Sequence, residues 1–437
     1  MIEKRLRKYI FPSILAMTGV SLYILADTFF ISVVGGADGI CALNLILPLY
    51  CAVFALAAMI GTGAATRYAI IKASGGENAN RYFSNAVFFS IIVSLPFVLC
   101  GVIIPDKILI LLGADAAILE VGVTYLRTAM CFAPFFILNN TISSFVRNDG
   151  APKIAMAATL ISSLFNIVFD YVFMFPMGLG MFGAALATGI SPIVSIVICM
   201  THYFSKKNTI KFEWKLPSFR RLYLSCILGI SGFIGEVASG VTGLVFNFIL
   251  LSVAGNVGVA AYGIIANISI VCVAMFNGIA QGLQPMASEA EGRGERDTKR
   301  RVLRHSLLIG IVVAVLIVGV CCVFASPIVE IFNSEGSAEL QTYGTVGLQI
   351  YSVGFLFACI NIIIAGFFGA VDKPRECAIL SIVRGVFAIV FFAILLSSFM
   401  GIIGVWLAFV ASEALTLVIS LVMLGRTGNA LAKSKQL

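Results

Sequence analysis

Long apolar stretches separated by short polar breaks make up almost the whole chain. Charge-free runs extend from Tyr82 to Pro105, from Val237 to Ser288 and from Leu340 to Val371. A helix needs about 20 apolar residues to cross a hydrocarbon core roughly 30 Å thick, so each run holds one or two crossings. No segment shows the alternation, about ten residues long, of a transmembrane barrel strand. Counting apolar segments against polar breaks predicts twelve helices. They lie near 10–34, 42–70, 84–104, 120–144, 153–176 and 181–203, then 222–251, 258–288, 304–330, 342–368, 376–397 and 402–425. Pro12, Pro134, Pro192 and Pro285 are the expected kinks.

Composition supports lipid as the main solvent. Hydrophobic residues form 60% of the chain, charged ones 11%, and the mean hydropathy is +1.05; soluble domains carry about 25% charged residues. The reading is an all-α integral membrane protein embedded in a lipid bilayer. The basic N-terminus runs on into a full span without a cleavage site, which reads as a retained first helix and not a signal peptide. Of the 29 Lys and Arg residues, all but Lys107, Arg127 and Arg384 fall in the termini or in every second loop. By the positive-inside rule this alternation places both termini in the cytoplasm. The net charge of +8 is then a topology signal, and a nucleic-acid partner is excluded. The eleven cysteines lie almost entirely in apolar spans and, with only two histidines, form no metal-ligand spacing; they read as small apolar filler.

The chain repeats itself at half its length. "GADGICA" at 36–42 matches "GNVGVAA" at 255–261, and "GMFGAALA" at 180–187 matches "GIIGVWLA" at 401–408. "RNDGAPK" and "AVDKPRE" fall at equivalent turns. Two six-helix halves follow: an N-terminal lobe at 1–204, a basic linker at 205–221 and a C-terminal lobe at 222–437. An even repeat keeps its membrane orientation, so the halves are related by an axis along the membrane normal, with a cavity at their interface.

Charges inside spans are few, and each costs about 2.5–3.5 kcal/mol at a helix centre on insertion scales, so each is a functional candidate. They are Asp27, Asp170, Glu236, Arg384 and Glu413. In "LFNIVFDYVFMF" (164–175), Asn166 sits one turn before Asp170 on the same helix face; Asp27 and Thr188 belong to the same half. At the repeat shift, Asp27, Asn166, Asp170 and Thr188 fall opposite Phe246, Phe387, Phe391 and Phe409. A polar cluster needed only to hold six helices together should persist in its twin. The four oxygens therefore read as a protonation or cation site, against the plainer alternative of an internally satisfied hydrogen-bond cluster. Glu236 is a candidate for attracting cationic ligands, whereas Arg384 and Glu413 read as a pair. Met59 and Met275 are candidates for an adaptable ligand wall, although such residues also face lipid. Catalytic residues are not expected: no Walker motif, triad, metal-ligand cluster or haem site occurs.

The chain resembles the multidrug and toxic compound extrusion (MATE) family along its whole length. The resemblance rests on "ADTFFISVVGG", "GTGAATRYAIIKASGGENANRYFSNA", "NIVFDYVFMFPMGLGMFGAALATGIS" and "GIAQGLQPMASEAEGRGERDTKR". It is nearest to the Gram-positive bacterial multidrug efflux branch. The resemblance implies a V-shaped pair of six-helix lobes, monomeric in a bacterial cytoplasmic membrane. It also implies export of amphipathic, often cationic, drugs in exchange for protons or sodium, without a cofactor. The family's N-lobe cation site carries over onto Asp27, Asn166, Asp170 and Thr188, with sodium as the only metal ion it would take. The second lobe departs from the pattern: "ISGFIGEVASG" lacks the proline of branches that use a helix 7 Glu. "GFLFACINIIIAGFF" has no carboxylate where others place an Asp in helix 10. Related flippases for lipid-linked sugars share the architecture and are the alternative; they would be expected to line the cavity with several basic residues. A receptor would be expected to carry an appended soluble domain.

Overall fold

A computed structural model describes residues 2–333 and 336–433; the last four residues of the expected second lobe, 434–437, lie outside it. Among the described residues there are helices and connecting turns, and no strand. Twelve spans follow. They are α1 (Glu3–Gly36), α2 (Asp38–Ala73), α3 (Asn80–Ile103), α4 (Ala116–Cys131 with Ala133–Asn148), α5 (Pro152–Met174) and α6 (Gly180–Tyr203). The second set is α7 (219–254), α8 (256–292), α9 (Arg296–Val323), α10 (Ala338–Ala370), α11 (374–400) and α12 (402–433). Short helices, Pro105–Leu111 and Ala325–Phe332, follow α3 and α9. Most spans outrun their apolar stretches, because intrahelical hydrogen bonds do not stop where the hydrocarbon does.

Three pairs of spans join without a loop. Gly36 (φ 57°, ψ −147°) divides α1 from α2, Gly255 (φ 59°, ψ −154°) divides α7 from α8, and Gly401 (φ 56°, ψ −133°) divides α11 from α12. Gly180, which opens α6, has φ 53°. A side chain in this region of backbone space costs of order 1–3 kcal/mol, so glycine is required. Gly36 and Gly255, and likewise Gly180 and Gly401, are the paired glycines of the internal repeat. The repeated letters therefore encode a repeated backbone break. Of the expected kinks, Pro134 marks a real one: the two segments of α4 meet there at 44°. Pro12, Pro192 and Pro285 lie inside continuous helices.

The halves α1–α6 and α7–α12 form two lobes that meet at the end carrying the basic loops. There the contact is backbone to backbone. A Cβ on Gly63 would lie 2.0 Å from the Ser225 carbonyl oxygen, one on Gly229 would lie 1.9 Å from that of Met59, and one on Gly282 would lie 2.6 Å from Ile10 Cα. Small residues at such crossings let membrane helices approach closely where lipid offers no hydrophobic drive. Polar pins reinforce the seam: Arg5 to Glu289 at 2.6 Å, Arg67 to Asp372 at 3.0 Å, Arg147 to Gln281 at 2.6 Å and Gln284 to Thr66 at 2.8 Å. Towards the other end the lobes part. Gly240 and Gly243 on α7 meet nothing within 4 Å, and Leu244 and Phe248 are exposed.

Candidate functional site

The first lobe closes around four oxygen-bearing residues. Asp27 from α1 and Asn166 and Asp170 from α5 are buried, the last two completely, and Thr188 of α6 lies beside them. The four-residue spacing stacks Asn166 under Asp170 on the inner face of α5. With its amide turned to satisfy both neighbours, Asn166 donates to Asp170 Oδ2 at 3.1 Å and accepts from Thr188 Oγ1 at 3.3 Å. Asp27 and Asp170 lie close enough for their charges to act on each other. Even so, one oxygen of each carboxyl group, Oδ1, is buried without a hydrogen-bond partner. Folded proteins rarely leave such atoms unmet, and those they leave call for an explanation. Two carboxyls with spare lone pairs, a carboxamide and a hydroxyl can share a proton or surround a hard cation.

Three tyrosines complete the surroundings and were not legible as candidates. Tyr23, one turn before Asp27, lies within electrostatic reach of Asp27, Asp170 and Glu236. Tyr50 and Tyr125 place their hydroxyls 3.4 Å apart, within electrostatic reach of both carboxyls. The four-residue offset of Tyr23 from Asp27 was the one available signal. Glu236 is half-buried on α7, in the part of that helix that leaves the first lobe. Met59 lies in the seam, its carbonyl against Gly229, and Met275 packs on the core of the second lobe. The structure thus gathers Asp27, Asn166, Asp170 and Thr188 into one cluster. Met59 and Met275 lie apart from it.

The second lobe holds a charged cluster of a different kind. Arg384 Nε donates to Glu413 Oε1 at 2.5 Å, Asn361 Nδ2 donates to Glu413 Oε2 at 2.8 Å, and Ser420 Oγ donates to Asn361 Oδ1 at 3.1 Å. A π-helical turn, Val383–Phe387, carries Arg384. Both Glu413 oxygens are engaged, in contrast to the Asp pair. Removing one member of a buried ion pair strands the other at about 3–5 kcal/mol, while replacing both is often neutral. Arg384→Met is therefore expected to destabilise the protein by that amount in denaturant unfolding in detergent, and adding Glu413→Gln is expected to restore most of it. An equal loss in the double variant would contradict the pairing.

A third cluster ties the basic end of the first lobe together. The Asp149 carboxylate, fully buried at the end of α4, receives Tyr68 Oη at 3.0 Å, Lys72 Nζ at 2.7 Å, His202 Nε2 at 2.9 Å and the Thr209 backbone N–H at 2.9 Å. Burial pushes its pKa up, but the hydrogen bonds from Lys72, Thr209 and His202 outweigh burial and hold it below the ordinary carboxylate range. A depressed carboxylate stabilises the fold at pH values above its unfolded pKa, about 3.9. That contribution is complete at neutral pH and is lost as pH falls through the lower folded value. Asp149→Asn removes it at all pH values and releases Thr209. Tryptic cleavage at Lys206, Lys207 and Lys211 is expected to accelerate at neutral pH, about tenfold for each 1.4 kcal/mol lost. Unchanged cleavage would show that Asp149 does not hold this segment.

Residues 12–172 and 234–395, one stretch in each lobe, match the MatE family model. Among curated proteins, the chain is 25% identical to the multidrug export protein MepA of Staphylococcus aureus (strain MRSA252) over 90% of its own length and 87% of that protein. It is also 25% identical to MepA of Staphylococcus saprophyticus subsp. saprophyticus, over 92% and 89%. Among solved structures, it superposes with a TM-score of 0.93 on an outward-facing multidrug resistance MATE family transporter of the MOP superfamily, at 22% identity and covering 99% and 97% of the two chains. A MOP superfamily transporter from Pyrococcus furiosus superposes at 0.91, with 21% identity and the same coverage. With the family match falling once in each repeated lobe and the twelve-helix architecture in place, the chain belongs to the MatE family and is a transporter, not an enzyme.

Proposed function

We propose that this protein exports amphipathic, often cationic, drugs in exchange for protons or sodium. The observation that carries the reading is the Asp27–Asp170 pair, buried in one lobe with an unpartnered oxygen on each carboxyl. Asn166 and Thr188 complete the coupling site. Glu236, on the α7 wall between the lobes, attracts the cationic group of the drug, and Met59 and Met275 contribute adaptable apolar surface. The export activity named for the MepA relatives supports the substrate class. The 1–204 lobe, 205–221 linker and 222–437 lobe form one monomeric unit of a bacterial cytoplasmic membrane. The basic end and both termini face the cytoplasm, which follows from the charge partition.

The cycle runs through the pair. A buried carboxylate carries a desolvation penalty that a proton or a cation removes. When the cleft opens to an acidic exterior the pair takes up its ion, α1, α5 and α6 repack, and the drug leaves. When the cleft opens to the cytoplasm the ion is released. Proton exchange is the preferred form, because carboxyls buried in apolar surroundings take up a proton without further ligands. The flippase alternative is weakened because Arg384 and Arg127 are the few basic residues expected within spans, and Arg384 is neutralised by Glu413 at 2.5 Å. The test is drug-evoked ion movement in proteoliposomes, with proton and sodium gradients imposed separately. Drug flux that responds to neither gradient would overturn the proposal.

A further inference from the structure

The stretch between the lobes is pinned down as a strap. Residues 208–218 form neither helix nor strand, and the backbone N–H groups at four of these positions are taken by side chains of the first lobe. Thr209 donates to Asp149 at 2.9 Å, Lys211 to Asn80 at 3.1 Å, Glu213 to Ser84 at 2.7 Å and Ser218 to Asn85 at 2.6 Å. Phe219, at the start of α7, then meets Phe89 edge to face with ring centroids 5.1 Å apart. The strap thus climbs α3 from residue 80 to residue 89, a rise of about 13 Å. Lipid-exposed apolar residues on α3 begin at Phe88 and continue through Ile91 and Ile92. The strap therefore lies at the level where headgroups meet acyl chains.

Its outward side suits that level and little else. Trp214 is 93% and Leu216 92% exposed, the largest exposures of large apolar side chains among the described residues. Around them stand Lys206, Lys207, Lys211, Lys215 and Arg220, all exposed. The acid within the strap, Glu213, is shared between Arg81 at 3.5 Å and Lys215 at 3.6 Å. Tryptophan prefers the membrane interface, where its ring is half-wet, and lysine stems reach from apolar surface to charged headgroups.

We propose that the strap is an interfacial anchor that binds anionic phospholipid headgroups of the leaflet on the basic side. The pairing is one of charge: five exposed cations frame two apolar side chains that insert among the acyl chains. Each lysine near an anionic surface contributes about fivefold to lipid preference, and the contribution fades with salt. The strap is bonded to the first lobe and runs directly into α7, so lipid held there sits at the start of the second lobe.

Trp214 reports on the site directly. The chain has two tryptophans, and Trp406→Phe leaves Trp214 alone. That full-length variant is reconstituted in phosphatidylcholine vesicles containing phosphatidylglycerol, with bromine on the acyl chains of one lipid or the other. Brominated phosphatidylglycerol is expected to quench Trp214 at least about threefold more strongly than brominated phosphatidylcholine at equal mole fraction. Lys211→Gln with Lys215→Gln, or 1 M salt, is expected to bring the two lipids close to parity. Equal quenching by both lipids in the parent would overturn the proposal. So would a Trp214 untouched by either lipid but fully accessible to aqueous acrylamide, which would assign the strap to a soluble partner.

Discussion

Replacing Asp27 or Asp170 with asparagine is expected to reduce ion-coupled drug transport to the protein-free background, a loss of at least a hundredfold, while leaving the fold intact. The two carboxyls sit side by side in the first lobe with one unpartnered oxygen each. An amide keeps the shape, and at position 170 the oxygen that Asn166 donates to, but cannot gain and lose a proton or present the charge that holds a cation. It also removes a desolvation penalty, so unfolding in detergent should be unchanged or slightly harder. The driving force at stake is large. One pH unit supplies about 1.4 kcal/mol and 100 mV about 2.3 kcal/mol per charge. Together they sustain roughly a few hundred-fold gradient of a neutral drug per proton. The measurement is drug-evoked proton or sodium movement in proteoliposomes beside the parent. Full exchange activity in both variants would reduce the cluster to a structural one.

The seam between the lobes is expected to be nearly as sensitive. Gly229→Ala puts a methyl 1.9 Å from the Met59 carbonyl oxygen, and Gly63→Ala puts one 2.0 Å from that of Ser225. Both obstacles are backbone, so no side chain can swing aside and the lobes themselves must separate by more than 1 Å. Overpacking of this kind costs typically 1–3 kcal/mol. Here the strain falls on one state of the transporter, and each 1.4 kcal/mol shifts its population tenfold. Either variant should lose transport by at least about tenfold. Spin labels at positions 77 and 295, in exposed turns on the two lobes at the basic end, should report longer distances. Gly243→Ala, whose new methyl meets nothing within 4 Å, is the matched control. An unchanged distance distribution in Gly229→Ala would show that the closed seam does not depend on this contact.

How the lobes seal could not be foreseen, although their existence could. Gly63 and Gly229 look like any other glycines in a Gly-rich membrane chain until α2 and α7 are laid against each other. The same holds for Tyr23, Tyr50 and Tyr125, whose residue type is ordinary in spans and whose importance comes from the neighbours that packing supplies. Asp149 is the sharpest case. In the chain it is one acid in a short polar turn, the setting of a solvated charge. In the fold α2, α4, α6 and the strap converge on it, and it is fully buried. The strap itself read as a basic linker, because its hydrogen bonds run to α3 and the end of α4, 60 to 133 residues away.

The sequence by itself determined the twelve spans, the internal repeat, and the four residues Asp27, Asn166, Asp170 and Thr188. Each of these rests on a quantity that adds up along the chain. Transfer free energy accumulates residue by residue, so charge-free runs declare spans, and an acid inside one stands out by its penalty. The repeat carried conformation as well as letters, since Gly36 with Gly255, and Gly180 with Gly401, adopt matching left-handed backbones. The pairing of Arg384 with Glu413 was legible too, and only the tertiary structure decided how completely each in-span acid is satisfied. Glu413 is saturated by Arg384 and Asn361, whereas Asp27 and Asp170 each keep an oxygen unmet. Partner choice depends on which helix faces meet, and that depends on every packing contact at once.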